Sequence, residues 1–295
     1  MLIEQERPLN PYILKVKNLP PLPQASGRIL TAVNDPDISI EELVAAISTS
    51  PSLVGRLIGL SNSAFFGRAG QIKDLREAII QVLGLNLVKS LAMGLVLNTQ
   101  LDAGRCRQFD AGQFWTESLL TASLAQKICM RVNKDKYDPS LVYTAGLLLN
   151  IGLLAAVYVL PEEMNDILLD VEEYDLALDE KMQKSLGMDQ YHTGFLLLKH
   201  WHLPESYQTI LKEFSNGNYQ GENAAIIRLL KICSSTAAYL SLHRDTDAMA
   251  LGSEFAAYGL KQDLICKIIN GLLERLDEVS DLAVVLIGKS GHGTK

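Results

Sequence analysis

The chain has 295 residues, 48% of them hydrophobic and 21% charged, which suits an ordinary globular protein with an ample core and gives no sign of global disorder. Its formal net charge of −7 and the absence of any Lys/Arg run argue against a nucleic-acid partner, because neutralising phosphates takes a clustered excess of cations. Four widely spaced cysteines (Cys106, Cys129, Cys233 and Cys266) form no CxxC pair, and residues 1–6 lack a basic stretch followed by an apolar one, so a cytoplasmic protein with reduced thiols and no signal peptide is expected.

In chain order the apolar spacing is helical nearly throughout. Ser39-Ile40-Glu41-Glu42 has the form of a capping box, after which Ile40, Leu43, Val44 and Ile47 fall on one face. Ser50-Pro51 opens a second helix lined by Leu53, Leu57 and Leu60, with proline where a missing N–H costs nothing. Asp74 is placed to cap a third, bearing Leu75, Ile79, Val82 and Leu83, with Gly84 at its left-handed end. A fourth covers about 85–97. The polar stretch Asp102-Ala103-Gly104-Arg105 separates this lobe, about 13–101, from a second at about 108–215. There Trp115, Leu119, Ala122, Ala125 and Cys129 share one helix face. Asp138-Pro139 leads into an uncharged stretch, 141–160, closed by Pro161. It has the length of a membrane span, but its acidic flanks and its Tyr143, Thr144, Asn150 and glycines favour a central helix buried on all sides, with no span.

Acidic amphipathic helices follow at about 162–170 and 176–186, where Glu172, Glu173, Asp175, Asp179 and Glu180 read as a solvated face. A helix at 191–201 stops before Pro204, and a short one follows. Residues 215–221 read as a linker. Beyond it, 216–287 is a C-terminal helical extension, with helices at 222–242 and within 260–286. Residues 1–12 form an N-terminal segment, and 288–295 a tail expected to be disordered. The expected fold is all-α, a two-lobed multi-helix bundle.

Eight short blocks occur in one order across about 13–215. They are Leu19-Pro20-Pro21-Leu22-Pro23; Ser50-Pro51-Ser52-Leu53; Asn62-Ser63-Ala64-Phe65-Phe66-Gly67; Ala78-Ile79 with Leu83-Gly84; Phe114-Trp115-Thr116-Glu117-Ser118; Gly146-Leu147-Leu148-Leu149-Asn150-Ile151-Gly152; His192 with Gly194; and Trp201-His202-Leu203-Pro204. Together they resemble the HDOD family, the HD-related output domain of bacterial signalling proteins. The block at 146–152 is similar to the Gly-Leu-Leu-His-Asp-Ile-Gly helix of the HD phosphohydrolase superfamily. The resemblance implies an HD-like second lobe and a role in signal output.

It also locates what is missing. The first metal-binding His of that superfamily would fall at Glu117, and its His-Asp pair at Leu149-Asn150; a downstream His pair would fall near Glu213-Phe214. An alkyl chain cannot ligate, and an amide carbonyl is a poor ligand for a hard divalent cation. No catalytic residue, metal site or cofactor is therefore expected. Glu117, Leu149, Asn150 and His192 remain as a vestigial pocket. His192, His200 and His202 are wrongly spaced on a helix for one metal site and read as satisfied or solvated histidines. In the loop at 62–67, Asn62, Ser63, Phe65 and Phe66 are a possible interaction site, although a helix-end motif with buried rings explains the same residues. Residues 283–290 imitate a phosphate loop but carry Ala283 where its first glycine belongs.

The expected function is that of a non-catalytic bacterial regulatory module, binding a signalling protein partner or a small-molecule or nucleotide ligand. Receiver, kinase or cyclase domains often joined to such modules would need further chain, so an input in trans is expected. The runner-up is a metal-dependent phosphohydrolase acting on a nucleotide or cyclic dinucleotide.

Overall fold

Helix runs through nearly every segment of a computed structural model that describes residues 11–67, 71–132, 137–174, 177–243 and 248–288. Most of the N-terminal segment (1–10), Asp175 and Leu176, and residues 289–295 of the expected tail lie outside the described residues. The helices are α1 (Pro11–Lys17), α2 (Gln24–Asn34), α3 (Ile40–Ser48), α4 (Pro51–Ser61), α5 (Leu75–Ala78), α6 (Leu85–Gln100), α7 (Ala111–Cys129) and α8 (Pro139–Leu148). There follow α9 (Ile151–Val159), α10 (Pro161–Tyr174), α11 (Leu178–Leu186), α12 (Gln190–His200), α13 (Glu205–Glu213), α14 (Ala224–Leu242), α15 (Ala248–Gly252), α16 (Gln262–Leu273) and α17 (Leu276–Ile287). No strand occurs among the described residues, so the fold is all-α as expected.

Local chemistry sets the starts. Ser39 Oγ accepts from Glu42 N at 3.2 Å while the Glu42 carboxylate accepts from Ser39 N at 2.9 Å, a reciprocal cap that stabilises α3 by about 1 kcal/mol. Asp74 caps α5 through Glu77 N, and Asp110 caps α7 through Gln113 N. The third expected helix is less regular than its spacing suggests. After Ala78 it widens into a π turn, Ile79–Leu83, ended by Gly84 at φ +76°.

Two compact units divide the chain, each assembled from three segments. One takes Met1–Pro21, Leu101–Phe109 and Asn150–Ser215; the other takes Leu22–Gln100, Asp110–Leu149 and Asn216–Lys295. This grouping runs across the consecutive lobes read from the sequence. Residues 216–287, read as an extension, share a unit with α7.

In the second unit α7 is the hub, packed by α8, α14 and α17. Trp115 is 0% exposed, and its Nε1 donates to Asn98 Oδ1 at 3.0 Å; Asn98 Nδ2 in turn donates to the carbonyl of Leu286 at 3.0 Å, joining α7, α6 and α17. Helix α8 crosses α7 where Gly146 meets Ala122: a Cβ on Gly146 would lie 2.9 Å from Ala122 Cα.

In the first unit α9 packs on α12, and α1 on both. A Cβ on Gly152 would lie 1.9 Å from the Gln190 carbonyl oxygen and 2.3 Å from Gly194 N, so only glycine admits this crossing. Asn165 Oδ1 accepts from the amides of Arg107 and Gln108, holding the 101–109 segment to α10. Trp201 Nε1 donates to the Pro20 carbonyl at 3.1 Å.

Two sequence expectations need correction here. The stretch 141–160 is largely buried but is not one helix, because the chain breaks between α8 and α9 at Leu149 and Asn150. The acidic run is not uniformly solvated either. Asp179 is half-buried, and its carboxyl is pushed up to about 6, first by burial and then by Asp189. Both Pro139–Val159 and Ala224–Leu242 are long and apolar enough to cross a membrane by length and composition, with 78% and 44% of their apolar windows buried in the fold.

Candidate functional site

The positions where the HD superfamily places metal ligands have other work in this chain. Glu117 projects from α7, where its Oε1 accepts from Gln113 Nε2 one turn earlier at 2.9 Å and from Ser241 Oγ on α14 at 3.0 Å. Burial raises its carboxyl above the usual range and Asp110 adds to this, while the two hydrogen bonds oppose the shift. The result is a carboxylate used as a cross-link between helices. Gln113 is legible in the sequence from its i, i+4 spacing. Ser241 is not, being 124 residues away.

Leu149 follows the last turn of α8, with its amide reaching back to the Gly146 carbonyl at 3.4 Å, and its side chain is 0% exposed. Asn150 is the half-buried N-cap of α9 but makes no side-chain capping bond; the helix resumes through Leu153 N to the Asn150 carbonyl at 2.9 Å. Among the described residues no group of three or more His, Cys, Asp or Glu is arranged to hold a metal ion. One carboxylate already committed to two donors, an alkyl group and an amide do not fit a hydrolytic metal centre, which needs several anionic or imidazole ligands and an open position.

His192, like Asn150, belongs to the first compact unit, whereas Glu117 and Leu149 belong to the second. It is exposed, near the ring of Phe195 at 6.0 Å between centroids, and its amide is capped by Asp189 Oδ1 at 2.7 Å. The structure brings it together with His200 and His202 after all: the three line one open cleft of about 620 Å³ with Lys17, Lys199 and Phe195. His200 Nε2 is buried without a hydrogen-bond partner. His202 takes φ +57°, the left-handed position of a Schellman turn in which Leu203 N bonds the Leu198 carbonyl and His202 N the Lys199 carbonyl. Nothing in the His spacing announced that turn.

The loop at 62–67 divides its labour. Asn62 is a clasp: its Oδ1 accepts from Ile72 N at 2.8 Å, and its Nδ2 donates to the carbonyls of Ile72 at 2.9 Å and Ile58 at 3.1 Å. Ser63 Oγ donates to the Leu60 carbonyl at 2.7 Å. Both are helix-end residues. Phe65 and Phe66, which meet edge to face with centroids 5.2 Å apart, instead wall a cavity of about 340 Å³ in the second unit.

The other ordered blocks are packing devices too. Pro20 meets Trp201, Gly152 meets Gly194, and Trp115 is received by Asn98. Comparison with known proteins agrees with this pattern of blocks. The profile of the HDOD domain matches residues 19–216. A 2.25 Å crystal structure from Marinobacter aquaeolei VT8, of a protein provisionally named for signal transduction, is similar at TM-score 0.75 and 24% identity, over 92% of this chain and 60% of that one. A provisionally named phosphohydrolase from Shewanella amazonensis SB2B gives 0.76 at 20% identity, covering 93% and 99%, and an HDOD domain protein of unknown function from Geobacter sulfurreducens gives 0.72 at 22%, covering 93% and 98%. At these identities the likeness is one of fold. An uncharacterised protein of Treponema pallidum (strain Nichols) is 29% identical over 200 residues, 65% of this chain, and the chain spans 36% of that relative's length. With the profile covering well over half of its residues, the chain belongs to the HDOD family.

Proposed function

We propose that this chain is a non-catalytic signal-transduction module of the bacterial cytoplasm, regulating by binding a protein partner or a small signalling ligand. The observation that carries the reading is Leu149: a fully buried alkyl side chain stands where the superfamily's metal-binding histidine would be. The use of Glu117 as a cross-link to Ser241 supports the same conclusion, because recruiting it to a metal would break a half-buried helix–helix contact. Family membership and neighbours named for signal transduction and for phosphohydrolases are consistent with a fold kept after its chemistry was lost. Three of the four free cysteines are buried, and burial raises the thiols of Cys106, Cys129 and Cys233, which suits inert reduced thiols.

The test is metal analysis of the purified full chain, with a phosphodiesterase screen on nucleotides and cyclic dinucleotides in manganese. The reading requires substoichiometric metal and turnover at background. Tight stoichiometric metal with turnover abolished by chelation would establish the phosphohydrolase reading instead.

A further inference from the structure

Leu119, Ser123 and Lys127 on α7, with Met130 at its C-cap, recur at i, i+4, i+8 and i+11, and so present one face of the helix to the cavity walled by Phe65 and Phe66. Its volume of about 340 Å³ lies at the small end of the roughly 300–1,000 Å³ typical of ligand sites. Most of the lining is apolar, with Leu60, Leu91 and Val279 as further wall.

Polar groups on this lining are few and rich in donors. Among the described residues no carboxylate pairs with the Lys127 ammonium; its charged neighbours are Arg131 and Arg275, both cations. Tyr143 is 7% exposed and Ser123 8% exposed, and neither hydroxyl has a hydrogen bond to another described residue. Arg275 is already engaged. It donates to the Phe65 carbonyl, pairs with Glu278 at 2.6 Å, and lies over the Phe65 ring at 4.3 Å. It therefore holds the aromatic wall in place and leaves Lys127 as the available cation.

We propose that this cavity binds a small amphiphilic carboxylate, its apolar body against Phe65, Phe66 and the leucines, and its anionic group toward Lys127, Tyr143 and Ser123. An apolar chamber whose hydroxyl donors and ammonium have no partner among the described residues is complementary to that chemistry. A neutral ligand would leave the ammonium unpaired, and a cation would be repelled. The proposal deepens the ligand-binding branch of the function above and rests on it, while naming a site distinct from the lost metal positions.

The experiment uses the full chain and octanoate as probe, with octanol and octyltrimethylammonium as the neutral and cationic controls, read by calorimetry and by methyl NMR of its seven methionines. Octanoate is expected to bind about ten-fold or more tightly than octanol, as a charge-assisted hydrogen bond implies, and to shift the Met130 methyl. The cation is expected not to bind. Lys127 is exposed, so Lys127→Gln should fold normally yet lose about ten-fold in octanoate affinity while binding octanol unchanged. Tyr143→Phe is expected to weaken octanoate by a smaller factor. Octanoate binding no better than octanol, an unmoved Met130 methyl, or unaltered affinity in Lys127→Gln would overturn the proposal. None of those results would disturb the non-catalytic reading, which stands or falls on metal content and turnover.

Discussion

Ser241 Oγ donates to Glu117 Oε1 at 3.0 Å, so a residue near the end of α14 completes the hydrogen bonding of a half-buried carboxylate on α7. Ser241→Ala removes one of two donors, and a loss of about 1 kcal/mol is expected, read as a fall of about 2–4 °C in Tm. Glu117→Gln keeps an acceptor for Ser241 and removes the charge. Because burial raises this carboxyl, the folded state holds its proton to higher pH than the unfolded chain does, and native stability drains away as pH rises above the ordinary carboxylate range. The Gln variant should therefore gain on the parent between pH 4 and pH 7. Parallel stability-against-pH curves for the two proteins would contradict this.

Asp179 gives a second pH signature. Its carboxyl is pushed up to about 6 by burial and by Asp189, so the associated stability is complete below about 4 and lost as pH rises through 6. Asp179→Asn is expected to raise Tm by about 2–4 °C at pH 7.5 and to make little difference at pH 4. Thermal melts at the two pH values decide it; equal shifts at both would refute the assignment.

At the crossing of α9 and α12 there is no room for a methyl group. Gly152→Ala would drive a Cβ into backbone atoms of Gln190 and Gly194, which cannot yield as a side chain end can. A loss of about 3 kcal/mol or more is expected, seen as a large drop in denaturation midpoint or as insoluble protein. A near-normal midpoint would mean that the two helices can part cheaply.

Restoring the missing ligands should not restore catalysis. Leu149→His with Asn150→Asp places two polar groups at a helix break, one of them in a fully buried position, without partners evolved for them. Reduced stability, weak manganese binding and background phosphodiesterase turnover are expected. Leu149→Asp alone should cost several kcal/mol, about what burying an unpaired carboxylate entails; melting at the parent's temperature would count against it.

The helical class, the caps at Ser39 and Asp74, and the burial of 141–160 were legible because each is a local matter of spacing and side-chain chemistry. Helices α1 and α2 were not drawn out individually: α1 is one short stretch, and α2 starts after Pro23 without any side-chain cap. The break at Leu149 and Asn150 was hidden because an uninterrupted apolar run looks the same whether or not its hydrogen-bond ladder stops. At the candidate site, the missing ligands could be read directly from Glu117, Leu149 and Asn150. The donor from Ser241, the shared cleft of His192, His200 and His202, and the company Lys127 keeps could not. Each depends on tertiary neighbours far away in sequence.

The carbonyl of Leu286 accepts from Asn98 Nδ2 and, at 3.2 Å, from Arg56 Nη1, partners separated from it by 188 and 230 residues. Long-range closure of this kind governs timing. On a ribosome, α4, α6 and α7 emerge well before α17, and two segments of the first unit are synthesised in between. Domains usually fold in the order they are synthesised; here the second unit cannot make these two contacts until α17 appears. A chain truncated before α17 is thus expected to lack the acceptor that Asn98 and Arg56 share, a consequence of connectivity rather than of any local sequence signal.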